Sequence, residues 1–311
     1  MNVLVLLTFG LLSLMAGALH AQQDSTHLVN VGYTQQSQTF SYSTGDTSLT
    51  LQGYSLLYQY GINDWRISVD YNLASDAKAN NAQQGEPQYG LQFETSGVNL
   101  FAEYNWPSSW LAVGIGKSQD DSRYQFNDPD PNPVNRINTR SETLVDYRSL
   151  TLDSGYIYVL SNGQWIVSGS LIQQLVEEKS HYHHEENGTK DDQVTNLNEN
   201  GTLASMGLTY GHYFALNEHW QLYLSAGLRR QITIAGNGRT TTHYRTPLQN
   251  NQAGTQVTSS ELESISQSAS TTHQLQFSAY HNKGSISFDV SKLHHQALSE
   301  AYISVTGGIV F

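Results

Sequence analysis

The chain contains no cysteine and few basic residues, and each shortage narrows what the protein can be. The absence of cysteine removes a disulfide framework, although it neither requires nor excludes export. The 15 Lys and Arg residues are outnumbered by 27 Asp and Glu residues, and the resulting formal charge of -12 argues against nucleic acid as a partner. Only 38% of the residues are hydrophobic, which is low for a soluble domain of this size.

Long hydrophobic runs are also missing, except at the N-terminus. Residues 1–21 have an apolar core from Val3 to Met15 that is followed by small residues, and they predict a secretory signal peptide. Cleavage is predicted after Ala18 or after Ala21, and residues 22–311 are predicted to form a single domain. The apolar stretch is shorter than the ~20 residues that a spanning helix needs. Since no later segment approaches a transmembrane helix, any later membrane contact must use strands.

The rest of the chain contains about twelve runs in which apolar and polar residues alternate. The clearest is WRISVDYNL at 65–73, whose odd positions are apolar and whose even positions are polar. Such a run predicts a strand with one face suited to lipid and the other suited to water. The predicted strands are 28–36, 48–61, 65–74, 90–106, 110–118, 144–160, 164–176, 201–215, 219–234, 270–281, 285–293 and 301–311.

The connections between these strands alternate between short and long. The short ones lie near Asn63, Ser108, Gly163, Asn217 and Lys283, and the long polar ones lie near 37–47, 75–89, 119–143, 177–200 and 235–269. Outer-membrane barrels have short periplasmic turns and longer extracellular loops. We therefore predict a transmembrane antiparallel up-and-down β-barrel with both termini on the periplasmic side.

Tryptophan supports the same prediction. All five tryptophans lie beside the short turns: Trp65, Trp106, Trp110, Trp165 and Trp220. Tryptophan prefers the membrane–water interface, because its ring is partly apolar and partly polar. We expect these side chains to form an interface belt at the periplasmic end. A soluble β-sandwich or propeller is the alternative fold, but it does not require this one-ended placement.

The last strand carries the most specific resemblance to a known family. It ends in Phe311, and Ile309 and Val305 lie on the same face as this aromatic residue. With this strand the chain resembles the Gram-negative outer-membrane β-barrels of the twelve-stranded class, both solitary autotransporter-like and small porin-like channel types. The resemblance implies an outer-membrane location, contact with membrane lipids and lipopolysaccharide, and recognition of Phe311, Ile309 and Val305 by the barrel-assembly machinery.

The lumen is the first place where function is expected. If the apolar runs face outward, the charged positions that face inward are Arg66, Asp70, Glu103, Asp153, Arg229 and Asp289. This excess of acids over bases indicates a weak preference for cations. Eight-stranded barrels are filled by side chains and sixteen-stranded porins hold a channel, so twelve strands allow a narrow pore. A plugged lumen crossed by salt bridges, such as one between Arg66 and Glu103, is equally compatible with the pattern.

Three functions follow from these patterns. The first is a narrow passive channel or solute-uptake barrel for a small solute. The second is a hydrolase of lipid or peptide at the rim, where Ser270 and His273 are predicted to lie, as are His243 and Glu261. The third is a plugged surface barrel whose loops bind a partner. No cofactor is expected for any of them.

A histidine cluster lies in the predicted loop at 177–200. His181, His183 and His184 are close enough in sequence to be candidate ligands of a transition metal. A flexible loop does not preorganise ligands, so a solvated polar loop is the preferred interpretation.

Overall fold

Strand alternation runs through nearly all of the chain after its N-terminal segment. The computed structural model describes residues 25–42, 45–79, 88–128, 136–186, 189–247, 269–281, 284–294 and 298–310. These residues form β1 (Ser25–Tyr42), β2 (Gly45–Ile62), β3 (Trp65–Ala79), β4 (Gln88–Trp106), β5 (Ser109–Asp128), β6 (Ile137–Val159), β7 (Gly163–Glu186), β8 (Thr189–Ala215), β9 (Trp220–Pro247), β10 (Ser270–His281), β11 (Gly284–His294) and β12 (Leu298–Val310).

The twelve strands close into one antiparallel barrel. Each strand pairs with its neighbours in sequence, and β1 completes the ring by pairing with β12 along Leu28–Phe40. The predicted all-β barrel is therefore confirmed. No helix in the described part of the chain is long and apolar enough to cross a membrane.

The outer face of the barrel is apolar and the inner face is polar. In β5, Leu111, Val113 and Ile115 are exposed, whereas Ala112 and Gly114 between them are buried. The same alternation places exposed aliphatic side chains on every strand from β3 to β12, and so many exposed apolar side chains would be a liability on a soluble protein. Since the closed ladder leaves no sheet edge around the ring, this apolar band suits the hydrocarbon core of a bilayer.

The short turns occur where the sequence predicts them. Asn63 and Asp64 join β2 to β3, and Asn63 adopts a left-handed conformation with φ of 51° that asparagine tolerates in tight hairpins. Pro107 and Ser108 form the two-residue turn between β4 and β5. Pro247, expected in a loop, is instead the last residue of β9, a strand end where its missing N–H donor is tolerated.

The strands at the other end of the barrel are longer than predicted. Most of the predicted loop at 177–200 belongs to the β7–β8 hairpin, whose ladder runs to the pair Glu186 and Thr189. The predicted loop at 37–47 is likewise largely strand, since β1 and β2 stay paired up to Tyr42 and Gly45. Beyond the apolar band both faces of these strands carry polar residues, so the alternation that predicts a strand fades while backbone pairing continues.

The wall of the barrel is therefore uneven in height. β8 and β9 contain 27 and 28 residues, whereas β10 and β11 contain only 12 and 11. The ladder between β9 and β10 stops at Gln231 and Ser270, while β9 continues along β8 to Pro247. The rim is high at β6–β9 and low at β10–β12.

Candidate functional site

Glycine and serine occupy many positions of the inner wall, between larger side chains such as Phe101, Trp110, Tyr147 and Tyr223. The positions that alternate with the exposed apolar residues include the glycines Gly97, Gly114, Gly116, Gly155, Gly207 and Gly227, and the serines Ser149, Ser168, Ser170, Ser205, Ser225, Ser278 and Ser287. Eight strands make a barrel whose interior side chains just fill it, and the interior widens as strands are added.

A cavity lies on the inner wall between β4 and β8. Its volume is about 300 Å³, and its lining extends from β4 to β8 with Asn99, Gly116, Ser149, Thr151 and Gln174. Liquid water occupies about 30 Å³ per molecule, so the cavity has the volume of roughly ten waters. The lining combines hydroxyl and amide groups with the apolar side chains of Ile172 and Leu203.

Arg66 and Glu103 form an ion pair on adjacent strands. They are directly opposite in the register of β3 and β4, and Arg66 Nη1 lies 3.0 Å from Glu103 Oε1. Because the partners are neighbours along the wall, the pair does not cross the lumen. The structure thus brings together two residues of the predicted set, in a geometry that keeps both side chains on one part of the wall.

Arg229 extends along the wall in the same manner. Its Nε donates to Ser205 Oγ and its Nη2 donates to Ser170 Oγ, both at 2.9 Å. The guanidinium ends 3.8 Å from Asp153 Oδ1, and Asp153 Oδ2 accepts a hydrogen bond of 3.1 Å from Trp110 Nε1. This chain of contacts runs from β9 to β5 across buried serines, so the second base of the lumen is also held against the wall.

The paired charges occupy one row of the sheet. Glu103 is opposite Arg66 on one side and Ala112 on the other, and Ala112 is in turn opposite Asp153. Asp153 is opposite Ser170, the residue that receives Arg229. The two ion pairs therefore belong to a single polar band around the inner wall.

Asp70 and Asp289 have neutral partners instead. The carboxylate of Asp70 accepts a hydrogen bond from the Asn99 side chain, and that of Asp289 accepts one from Ser304. Both bases of the predicted lumen set are matched by acids, so these two aspartates supply an excess of negative charge.

Four of the five tryptophans lie on the outer face at the short-turn end. Trp65, Trp106, Trp165 and Trp220 are exposed there, and tyrosines extend this aromatic band. Trp65 packs edge-on against Tyr104 with ring centroids 5.1 Å apart. This placement is the one that an interface belt requires.

Trp110 is a correction to the predicted belt, because it lies on the inner face. Its indole covers Gly155, where an added Cβ would lie 2.0 Å from Trp110 Cη2. The two-residue turn sets Trp106 opposite Ser109, so the next residue, Trp110, must face the other side of the sheet. The sequence pattern that starts at Leu111 predicts this position, because its apolar residues at odd-numbered positions place the even-numbered positions of β5 on the inner face.

The predicted histidine cluster is divided between two faces. His181 Nε2 and His183 Nδ1 lie 4.0 and 2.5 Å from Asp192 Oδ1 on the outer face of the β7–β8 hairpin. His184 lies on the inner face, where Nδ1 is 2.9 Å from Thr139 Oγ1. The three histidines therefore do not converge, and in the described ranges no group of three or more His, Asp or Glu side chains is arranged to hold a metal ion.

The candidate catalytic pair at the rim is not assembled either. Ser270 is buried on the inner face of β10, whereas His273, three residues along an extended strand, is exposed on the outer face. The His273 ring instead lies 5.6 Å from the His294 ring. Glu261 and the side chain of His243 lie outside the described residues.

The predicted assembly signal is described in part. Val305 and Ile309 are exposed on the outer face of β12, as their alternation predicts. Phe311 lies outside the described residues, as does the predicted signal peptide at 1–21, and both assignments stay predictions.

Sequence reasoning missed the residues that connect the charges. Ser170 and Ser205 hydrogen-bond each other at 2.7 Å and both contact Arg229. Serine is abundant in these strands, so nothing local distinguishes these two. It missed Tyr147 as well, whose hydroxyl donates a hydrogen bond to the Asp120 carboxylate on the inner wall beyond the polar band.

Comparison with known proteins supports the fold. No family model and no curated protein sequence matches the chain. Among solved structures, the translocator domain of the autotransporter NalP from Neisseria meningitidis is 10% identical with a TM-score of 0.58, covering 97% of this chain and 94% of its own. The β-domain of the Bordetella autotransporter BrkA is 11% identical with a TM-score of 0.49, over 93% of this chain and 99% of its own. The Pseudomonas putida toluene transporter TodX is 12% identical with a TM-score of 0.46, over 93% of this chain and 90% of its own.

The first of these similarities extends over almost the whole of both chains, and at this identity it concerns the fold. It agrees with the closed ring of twelve strands, the apolar outer band and the polar inner wall. The chain has the architecture of the β-barrels of Gram-negative outer membranes.

Proposed function

We propose that the protein is a narrow, passive, water-filled channel in the outer membrane of a Gram-negative bacterium, with a mild preference for small cationic or neutral solutes. The short turns face the periplasm and the long hairpins face the cell exterior. The tryptophans of the outer face support this orientation, because they follow the short turns at one end of the apolar band.

The main support for the proposal is that the side chains of Arg66 and Arg229 extend along the inner wall. Arg66 contacts Glu103 on the adjacent strand, and Arg229 follows Ser205 and Ser170 toward Asp153. A plug made of salt bridges needs side chains that reach across the lumen. Bases held along the wall by neighbouring strands support an open path instead.

The preference for cations follows from the negative charge that remains after these ion pairs are counted. Two bases are matched by Glu103 and Asp153, whereas Asp70 and Asp289 bond only neutral groups in the contacts described above. Rings of carboxylates favour cations in a hydrated pore. Two such groups in a wall of serine and glycine give a weak selectivity rather than a filter.

The decisive experiment is conductance of the refolded protein in a planar lipid bilayer. We expect discrete steps, and Ser149→Trp should lower their size because Ser149 lines the inner cavity. Leu150→Trp is the matched control: the neighbouring side chain is exposed on the outer face, so the same new ring enters lipid and conductance should be unchanged. Absence of steps from correctly folded protein would overturn the channel proposal. An equal effect of both variants would contradict the assignment of Ser149 to the inner face and Leu150 to the outer face.

A further inference from the structure

A group of basic side chains lies on the outer face at the low rim, where the apolar band ends on β10 and β11 and continues on β9 to Ile232 and Ile234. It consists of Arg230 on β9, His273 on β10, and Lys292 and His294 on β11, and we call it the basic patch. All four residues are exposed. The next outward residues toward the short turns are Leu228, Leu275 and Val290, so the patch borders lipid-facing surface directly.

The register brings these side chains together. His273 is directly opposite Lys292, and the His273 and His294 rings are 5.6 Å apart at an angle of 86°. Arg230 is opposite Thr271 on β10, and its Nη1 donates a hydrogen bond of 2.6 Å to Thr271 Oγ1. The patch thus spans three adjacent strands at one level of the wall.

No acid neutralises the patch within the outer face of these strands. The described outward positions of β9, β10 and β11 contain no Asp or Glu, and Asp289 of β11 faces the lumen toward Ser304. The chain as a whole has 27 acids and only 15 Lys and Arg residues, so this local separation departs from its composition.

A basic residue elsewhere at the edge of the apolar band provides a contrast. Arg148 on β6 is directly opposite Lys117 on β5. Glu177 on β7 lies beside it, with Arg148 Nη2 3.8 Å from Glu177 Oε2. That position contains its own counter-charge. The basic patch has no such acid among the described outward positions of its own strands.

We propose that the basic patch binds the phosphate groups of a phosphorylated glycolipid in the outer leaflet, namely the lipid A part of lipopolysaccharide. The apolar band below the patch contacts acyl chains, and the patch lies at the level of the head group. Basic clusters beside a membrane bind anionic head groups through this combination of charge and position. The low rim favours access, because β10 begins three residues before His273 and β11 ends at His294.

This inference rests on the orientation given under Proposed function and goes beyond the channel itself. Folded protein in detergent without divalent cations would be titrated with bisphosphorylated lipid A, and bound lipid would be counted by native mass spectrometry. Omitting divalent cations removes binding that is bridged through carboxylates. We expect the double variant Arg230→Gln and Lys292→Gln to bind roughly tenfold more weakly or worse, because each lost charge weakens attachment to an anionic head group severalfold.

Two controls keep the experiment specific. Arg148→Gln should change lipid A binding less than the double variant does, since Glu177 offsets part of the charge of Arg148 and Lys117. The double variant should retain wild-type conductance and heat-modifiable mobility on gels, which separates a lipid defect from a folding or channel defect. Lys292→Gln alone serves if the double variant folds poorly.

Several results would overturn the proposal. Equal binding of dephosphorylated lipid A would show that acyl chains alone are recognised, and equal competition by inorganic phosphate would show a site for free phosphate. Preference for phosphatidylglycerol over lipid A would contradict the assignment to the outer leaflet. Each of these outcomes leaves the conductance measurement, and so the channel proposal, unaffected.

Discussion

The guanidinium of Arg229 lies 3.8 Å from the carboxylate of Asp153, although β7 and β8 separate the strands that carry them. The arginine side chain bridges this distance along the inner wall, with Ser205 and Ser170 as intermediate hydrogen-bond acceptors. Gly207, opposite Arg229 on β8, leaves the space in which the side chain lies. A base that could have crossed the lumen is thereby kept beside it.

Removal of this base should change selectivity more than pore size. In Arg229→Gln, Asp153 loses its counter-charge while the wall keeps its shape, so cation preference should increase and single-channel conductance in high salt should change little. Reversal potentials under a salt gradient measure the first effect, and step size measures the second. A large rise in conductance would indicate that Arg229 obstructs the lumen, contrary to its position along the wall.

Removal of acids should have the opposite effect. Asp70→Asn and Asp289→Asn each remove one negative charge that has only a neutral hydrogen-bond partner, so the cation preference should fall, and in the double variant it should be largely lost. Asp121→Asn is the control, because Asp121 pairs with Arg123 outside the lumen at 2.8 Å. Unchanged reversal potentials in the double variant would exclude these aspartates from the path of the ions.

The Arg66–Glu103 pair should contribute little to stability. Its side chains are 47% and 23% exposed, and exposed ion pairs contribute about 0.2–1 kcal/mol. Arg66→Ala should therefore lower the free energy of unfolding by no more than about 1 kcal/mol, as measured by urea unfolding in lipid vesicles. A double-mutant cycle with Glu103→Ala isolates the pair, and a coupling energy of several kcal/mol would contradict a hydrated lumen.

Gly155 should be sensitive to the smallest substitution. A Cβ at this position would lie 2.0 Å from Trp110 Cη2, so the indole must move and its hydrogen bond to Asp153 must change. Gly155→Ala should cost about 1–3 kcal/mol, the usual range for overpacking. Gly307→Ala is the matched control, since nothing lies within 4 Å of its added Cβ. Equal unfolding free energies for the two variants would argue against the inward position of Trp110.

Tryptophan fluorescence should divide the five residues in the same way. A variant that keeps only Trp165 should be quenched by lipids brominated near the head group, because this ring is exposed on the outer face. A variant that keeps only Trp110 should resist this quenching, since its ring lies inside against Gly155. Strong quenching of Trp110 would show that its ring lies in the interface belt on the outer face.

Much of the fold could be predicted because strand alternation is a local property. Leu111, Val113 and Ile115 identify an outward face without any knowledge of their neighbours, and the turn at Asn63 and Asp64 marks a hairpin by its residue types alone. The prediction was wrong where this signal fades, as in the β7–β8 hairpin, whose outer part is polar on both faces. There the pairing of two backbones maintains the strands, and single-strand composition does not reveal it.

The sequence by itself determined the class of the protein: a membrane-spanning barrel with about twelve strands, short turns at one end, and acids and bases on the polar face. The tertiary structure decided which of those charges meet. Ser170, Ser205 and Asp153 are far from Arg229 along the chain, and only ring closure and register place them in its reach. The same register turned Trp110 inward and placed Arg230, His273 and Lys292 at one level of the wall. Contacts between strands depend on how the strands are aligned, and the alternation within a single strand does not reveal that alignment.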